Sequence, residues 1–186
     1  MLLKDYSISL LKTIPAELYA GIICIAVLGI LVSAWAYGIK KSIQISSLVG
    51  FVVYGIYIIC TTVVFRPARD ESRVLNLKPF WSYSAINSGD TRLIDENLMN
   101  VFVFIPIGLL LAVGIKKSRW WHIALIGCMV SVIVEFLQFY YKRGLCEFDD
   151  LLHNTIGCLI GFLMIKGLVL LYYNVKNIRK QYDEVR

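Results

Sequence analysis

Between Ser131 and Gly161 the chain reads SVIVEFLQFYYKRGLCEFDDLLHNTIGCLIG. Two apolar runs flank a middle that holds Lys142, Arg143, Glu147, Asp149, Asp150 and His153, while Glu135 and Gln138 lie inside the first run. Carboxyl groups gathered this way suit general acid and base work, with Glu135, Glu147 and Asp150 as the candidates and Arg143 to hold an anionic head group. The same residues equally suit a polar pocket that binds without reacting. No nucleophile motif, phosphate loop or metal-ligand spacing accompanies them. His153 has no second histidine nearby, and the five cysteines form no pair with zinc spacing, so neither a metal nor a cofactor is expected. Cys146 is expected to be a free thiol in a loop.

Helical periodicity turns these residues into stripes. Gly127, Ser131, Glu135 and Gln138 step by four, four and three, which places them on one face of a helix. Asp150, Asn154, Gly157 and Gly161 step by four, three and four on the next helix, and the two glycines form a GxxxG pair suited to close helix packing. Upstream, Asn97 and Asn100 share a face with Phe104. Glu135 precedes Arg143 by eight residues, roughly 12 Å along a helix, which puts its carboxyl inside the hydrocarbon zone near the loop side. A charge there costs a few kcal/mol. Glu135 must therefore be protonated, paired or facing a wet cavity, and Arg143, Asn100 and Asn154 are its expected partners. A bundle-holding hydrogen bond is the structural alternative to a functional cavity. Asp149 is expected to cap free N–H groups at the start of the last span, whereas Asp150 opens the polar stripe.

The elements that must position these groups are membrane helices. Of the 186 residues 58% are hydrophobic and 17% charged, with a mean hydropathy of +0.69, too greasy for a soluble domain of this size. A span needs about 20 apolar residues, and five stretches qualify: Pro15 to Ile39, Ile45 to Phe65, Asn100 to Ile115, Trp120 to Tyr141 and Leu151 to Tyr173. The fold class is therefore an all-α, polytopic transmembrane bundle of five spans. The first run is too long for a signal peptide, despite the small-x-small pattern at Ala34-Trp35-Ala36, and is expected to be retained. Residues 1–45 would form an N-terminal helix and basic loop, 46–165 the core, and 166–186 the end of the last helix and a basic tail.

Cations concentrate at Lys40-Lys41, at Lys116-Lys117 with Arg119, and at Lys176, Arg179 and Lys180. With five spans these clusters share one side, which the positive-inside rule makes cytoplasmic, leaving the N-terminus outside and the C-terminus inside. The loops Arg66 to Asn97 and Lys142 to Asp150 then share the other side whatever the absolute orientation. The first of these loops carries Phe80, Trp81 and Tyr83, a composition suited to lying along the interface. Nucleic-acid binding is not expected, since the basic balance belongs to loops that meet lipid head groups.

The residues also carry a family resemblance. Asn76-Leu-Lys-Pro-Phe80, Glu96 with Asn100-Val-Phe-Val-Phe-Ile-Pro-Ile-Gly-Leu-Leu110, Glu135-Phe-Leu-Gln138, and Arg143 with Glu147, Asp150, Asn154-Thr155-x-Gly157 and Gly161 follow one another in an order and spacing similar to the VanZ-like membrane proteins of bacteria. One departure is Glu147, where the family more often has aspartate. The resemblance covers roughly residues 46 to 165, leaving the first span as an added helix. It implies a four-helix core in the bacterial cell membrane and an association with low-level resistance to the lipoglycopeptide teicoplanin; it supplies no reaction. The expected ligand-binding set is Asn100, Glu135, Gln138, Arg143, Glu147, Asp150 and Asn154. Two functions stay open: a polar outer-face site that engages an amphiphile, either the antibiotic or a lipid-linked wall precursor among membrane lipids, and an intramembrane enzyme acting on a lipid or lipid-linked glycan. A transporter is disfavoured, because no repeat symmetry or pair of broken helices is visible.

Overall fold

A computed structural model describes residues 37–67 and 75–185. The expected first span lies outside these residues except for its last turn, as do the Ala34-Trp35-Ala36 pattern, Cys24, Arg69 and Arg73. Among the described residues four helices are long and apolar enough to cross a membrane: Ile39–Val64, Arg92–Gly114, Trp120–Tyr140 and Phe148–Lys180. The protein is an all-α membrane bundle, and extended structure among the described residues amounts to one pair of two-residue strands.

Helix α1 spans Ile39–Ile59 and continues into a π-helical turn, Cys60–Val64. Lys40 and Lys41 fall in its first turn instead of forming a loop, because Gly38 turns the backbone at φ +78° immediately before. The π turn is stitched by the hydroxyls of Thr61 and Thr62, which donate to the carbonyls of Tyr57 and Ile58 at 2.8–3.0 Å. Such turns stay in place only where the displaced backbone groups find partners. A short strand β1 (Leu75–Asn76) and helix α2 (Trp81–Asn87) follow.

Helix α3 runs from Arg92 to Gly114, eight residues earlier than the apolar run alone indicates. Its first two turns hold Asp95, Glu96 and Asn97, polar residues that extend the helix beyond the hydrocarbon zone. Helix α4 (Trp120–Tyr140), strand β2 (Cys146–Glu147) and helix α5 (Phe148–Val185) complete the chain. At 1.5 Å per residue α5 is about 57 Å long, nearly twice a bilayer core of about 30 Å. The basic residues Lys176, Arg179 and Lys180 therefore continue the helix and are not a loose tail.

The closest packing is between α3 and α5, with α4 against α5 and α1 against α3. Ile58, Phe104, Ile107, Leu111, Ile123, Val134 and Phe162 meet there with the thiol of Cys158. Apolar side chains such as Leu125, Phe136, Leu163 and Leu168 point outward, as expected of a bundle that faces lipid. Pro106 interrupts α3, leaving the Phe102 carbonyl without its helical donor and crowding the turn before it. One residue on, the Tyr54 hydroxyl donates to the Val103 carbonyl at 2.9 Å, so α1 supplies a hydrogen bond where α3 is weakened. Tyr54→Phe is expected to lower stability by about 1 kcal/mol and to leave the fold intact, measured as the thermal unfolding midpoint in detergent.

Candidate functional site

Three devices bring the polar stripes together. The first is the glycine-lined approach of α3 and α5. A Cβ at Gly157 would run into the Val101 carbonyl, one at Gly161 into the Ile105 carbonyl, and one at Gly108 into the carbonyl of Cys158. This near-contact of backbones lets the Asn100 amide nitrogen donate to Asp150 Oδ1 at 2.7 Å.

The second device is Asp149. It is fully buried, and its carboxylate does not serve its own helix as expected. Oδ1 accepts from the Phe80 N–H at 2.6 Å, while Oδ2 accepts from the Ser82 N–H at 2.9 Å and from the Ser82 hydroxyl at 2.6 Å. Asp149 thus caps α2, a helix whose own start at Phe80 is left-handed (φ +59°) and lacks a side-chain cap. Helix α3 joins in through Asn97, whose amide nitrogen donates to Ser82 Oγ at 3.2 Å. That contact turns Asn97 toward α2. The Tyr83 hydroxyl lies 2.9 Å from His153 Nε2. This contact ties α5 to α2 through His153, and among the described residues no cluster of three or more metal-type side chains is placed to hold an ion.

The third device is the parallel pairing of β1 with β2, Leu75 opposite Cys146 and Asn76 opposite Glu147. It ties the long loop to the short one, and the Glu147 N–H donates to Glu135 Oε2 at 3.1 Å. That backbone group is the partner of the membrane carboxyl. The side chains expected to fill this role are engaged elsewhere: Asn100 on Asp150, Asn154 on the Ser131 hydroxyl at 2.8 Å, and Arg143 on the carbonyl of Arg66.

Arg143 is removed by the way α4 ends. Lys142 takes a left-handed conformation (φ +53°), its N–H bonds the Phe139 carbonyl at 3.3 Å, and the Arg143 N–H bonds the Gln138 carbonyl at 2.7 Å. This is a Schellman closure, and it swings Arg143 out of line with the α4 stripe.

What remains encloses a cavity of about 430 Å³. Asn100 and Phe104 face it from α3, Val134, Glu135 and Gln138 from α4, and Asp150 and Asn154 from α5, with Glu147 at the β2 edge. Six of the seven expected ligand-binding residues line it; Arg143 does not. Four further polar residues line it that the stripes did not indicate: Thr61 and Thr62 of the π turn, Arg66 just beyond it, and Glu96 of α3. Arg66 takes the place expected of Arg143 as the cation at this cavity. The spacing Thr62 to Arg66 was a visible signal, but the π turn that aims it has no sequence signature.

Carboxyl groups dominate this wall, and the Cys146 thiol beside it registers them. Burial pushes that thiol above its ordinary range, and Glu135, Asp150 and Glu147 push it further. Thiolate is the reactive form, so maleimide labelling of Cys146 is expected to be slow at neutral pH and to climb only above the ordinary thiol range. Glu135→Gln is expected to quicken it, followed by site-resolved mass spectrometry.

The VanZ/LLP1 family profile matches residues 51–172, a stretch that contains every residue lining the cavity. The chain belongs to the VanZ/LLP1 family. Protein VanZ of Enterococcus faecium is 33% identical over 108 residues, which is 58% of this chain and 62% of that protein. The chain thus spans less than two thirds of its relative's length. No solved structure matches it. Within the VanZ/LLP1 stretch, the glycine seam, the Asp149 cap and the strand pair all serve to hold one polar cavity at one end of the bundle.

Proposed function

We propose that this VanZ-like membrane protein lowers susceptibility to teicoplanin-type lipoglycopeptides, or maintains the cell envelope, by engaging an amphiphile at a polar site on the outer face of the cell membrane. One observation carries the reading: polar residues from the π turn, α3, α4, the β2 edge and α5 converge on one cavity. A concave pocket with a few placed polar groups is the usual form of a small-molecule site. An amphiphile could lodge its head there while its tail stays in lipid. The short basic turn at Lys116, Lys117 and Arg119 lies at the far end of α3 and α4, and the positive-inside rule supports assigning that end to the cytoplasm.

Susceptibility of a host expressing wild type, Glu135→Gln or Asp150→Asn tests the proposal. Both variants are expected to accumulate normally and to lose most of the protection. Protection equal to wild type in both sinks the reading. A second reading, an intramembrane enzyme acting on a lipid or lipid-linked glycan, draws on the convergence of Glu135, Glu147 and Asp150 on one wall, where one carboxyl could serve as acid and another as base. Lipid and wall-precursor profiles of a deletion strain distinguish the two, since an enzyme leaves a substrate that accumulates.

A further inference from the structure

A second cavity of about 350 Å³ adjoins the first. Its walls are Val132, Phe136 and Phe139 of α4, Leu151 of α5, and the β1–β2 strand pair with the adjoining Leu77 and Phe148. Only Glu135 and Glu147 are shared by the two cavities, and the hydrogen bond from the Glu147 N–H to Glu135 Oε2 lies where they meet. Positions 132, 136 and 139 on one side of α4 and 134 and 138 on the other flank Glu135, so that residue stands on the border of two helix faces. Beyond the border everything is apolar apart from the Cys146 thiol. Leu75, Leu77, Val132 and Phe136 are exposed at the rim, so the groove opens sideways, where a bundle meets lipid.

We propose that this groove is a tail subsite, holding one hydrocarbon chain of an amphiphile whose head occupies the polar cavity past Glu135 and Glu147. The inference rests on the reading of that cavity as an amphiphile site and adds the path of the tail and the chemistry of the head. Glu96, Glu135 and Asp150 offer acceptor oxygens to the cavity. The buried Asn154 gives its amide nitrogen to Ser131 and leaves Oδ1 without a donor. An unmatched buried acceptor is costly, and a hydroxyl-bearing head supplies the missing donor. Four acidic side chains (Glu96, Glu135, Glu147 and Asp150) against the cation Arg66 at this cavity favour a hydroxyl-rich head over an anionic one, so the occupant is an alkyl chain carrying a polyol, the chemistry of a glycolipid.

The test uses the full chain in phosphatidylcholine nanodiscs and a dodecyl glucoside with a diazirine at the end of its chain. After irradiation, adducts mapped by mass spectrometry are expected on Val132, Phe136 and Leu151. Excess dodecyl glucoside should suppress them at least fivefold, and glucose should not. Leu151→Trp, which fills the groove, is expected to reduce them at least fivefold, and Val132→Trp to do the same should the first variant fold poorly. Leu163→Trp, on the outward side of the same helix, should leave them unchanged. Adducts spread over outward residues such as Leu125 and Leu163, indifferent to the groove tryptophans, overturn the tail subsite. If they do so while Glu135→Gln and Asp150→Asn still abolish protection, the polar site survives and only the tail path falls. Saturable groove labelling that ignores both acidic variants overturns the reading of the polar cavity and this proposal with it.

Discussion

Gly157→Ala is expected to cost about 3 kcal/mol, although the same change ordinarily stabilises a helix by about 1 kcal/mol. The reversal of sign is the point of the experiment. At Gly157 a new Cβ meets the Val101 carbonyl and the Phe104 side chain, and a backbone carbonyl cannot rotate away. At Gly167, three turns further along the same helix, nothing stands within 4 Å, so Gly167→Ala is expected to be neutral or stabilising. Unfolding midpoints in detergent for the two variants should move in different directions. The damage should also reach the site. Asn100 and Asp150 meet at 2.7 Å across this seam, and a hydrogen bond weakens steeply once its partners drift apart. Gly157→Ala is thus expected to lose protection as well as stability. Equal midpoints for Gly157→Ala and Gly167→Ala would show that α3 and α5 are not in backbone contact.

The second large effect is expected at Asp149. Three donors, the N–H groups of Phe80 and Ser82 and the Ser82 hydroxyl, converge on its carboxylate in a buried position. Asp149→Ala strands all of them. Hydrogen bonds to a charged group contribute about 1.5–3 kcal/mol each, and stranded donors add their own desolvation cost. Because these contacts share one carboxylate they do not simply add, and a loss of about 4 kcal/mol is expected. Asp149→Asn keeps one acceptor and should fall between. The local signature is cleavage: residues 75–91 should become sensitive to protease in Asp149→Ala while α3 and α4 stay protected. A resistant segment 75–91 in that variant would sink the account of α2 as a helix capped in trans.

Sequence and structure part company where long-range partners decide the outcome. The four spans among the described residues were legible because each is a run of apolar residues of membrane length, and α4 ends within a residue of its expected limit. The polar stripes were legible because 3.6-residue periodicity is local. Helix α3 was misjudged at its start, where Arg92, Asp95 and Glu96 read as loop, although helices readily continue past the hydrocarbon boundary. Arg143 was paired with Glu135 by charge alone. The left-handed Lys142, an uncommon conformation for a side chain with Cβ, redirects it and could not be foreseen. Strands of two residues carry no period to read, so the pairing of Leu75–Asn76 with Cys146–Glu147 appears only once the bundle is assembled.

That pairing also sets an order of events. Leu75 and Cys146 are joined across a segment containing two complete spans, and the contacts of Asp149 with Phe80 and Ser82 bridge 67 to 69 positions of the chain. Closing loops of this length is slow and uphill until packed helices reward it. Membrane helices insert first and associate afterwards, so α3, α4 and α5 must already be side by side before residues 75–91 find their seat. The β1–α2 segment is consequently the last part of the protein to mature during biogenesis, and a chain stalled before Cys146 would hold inserted helices without the apolar groove that Leu75 and Leu77 help to wall.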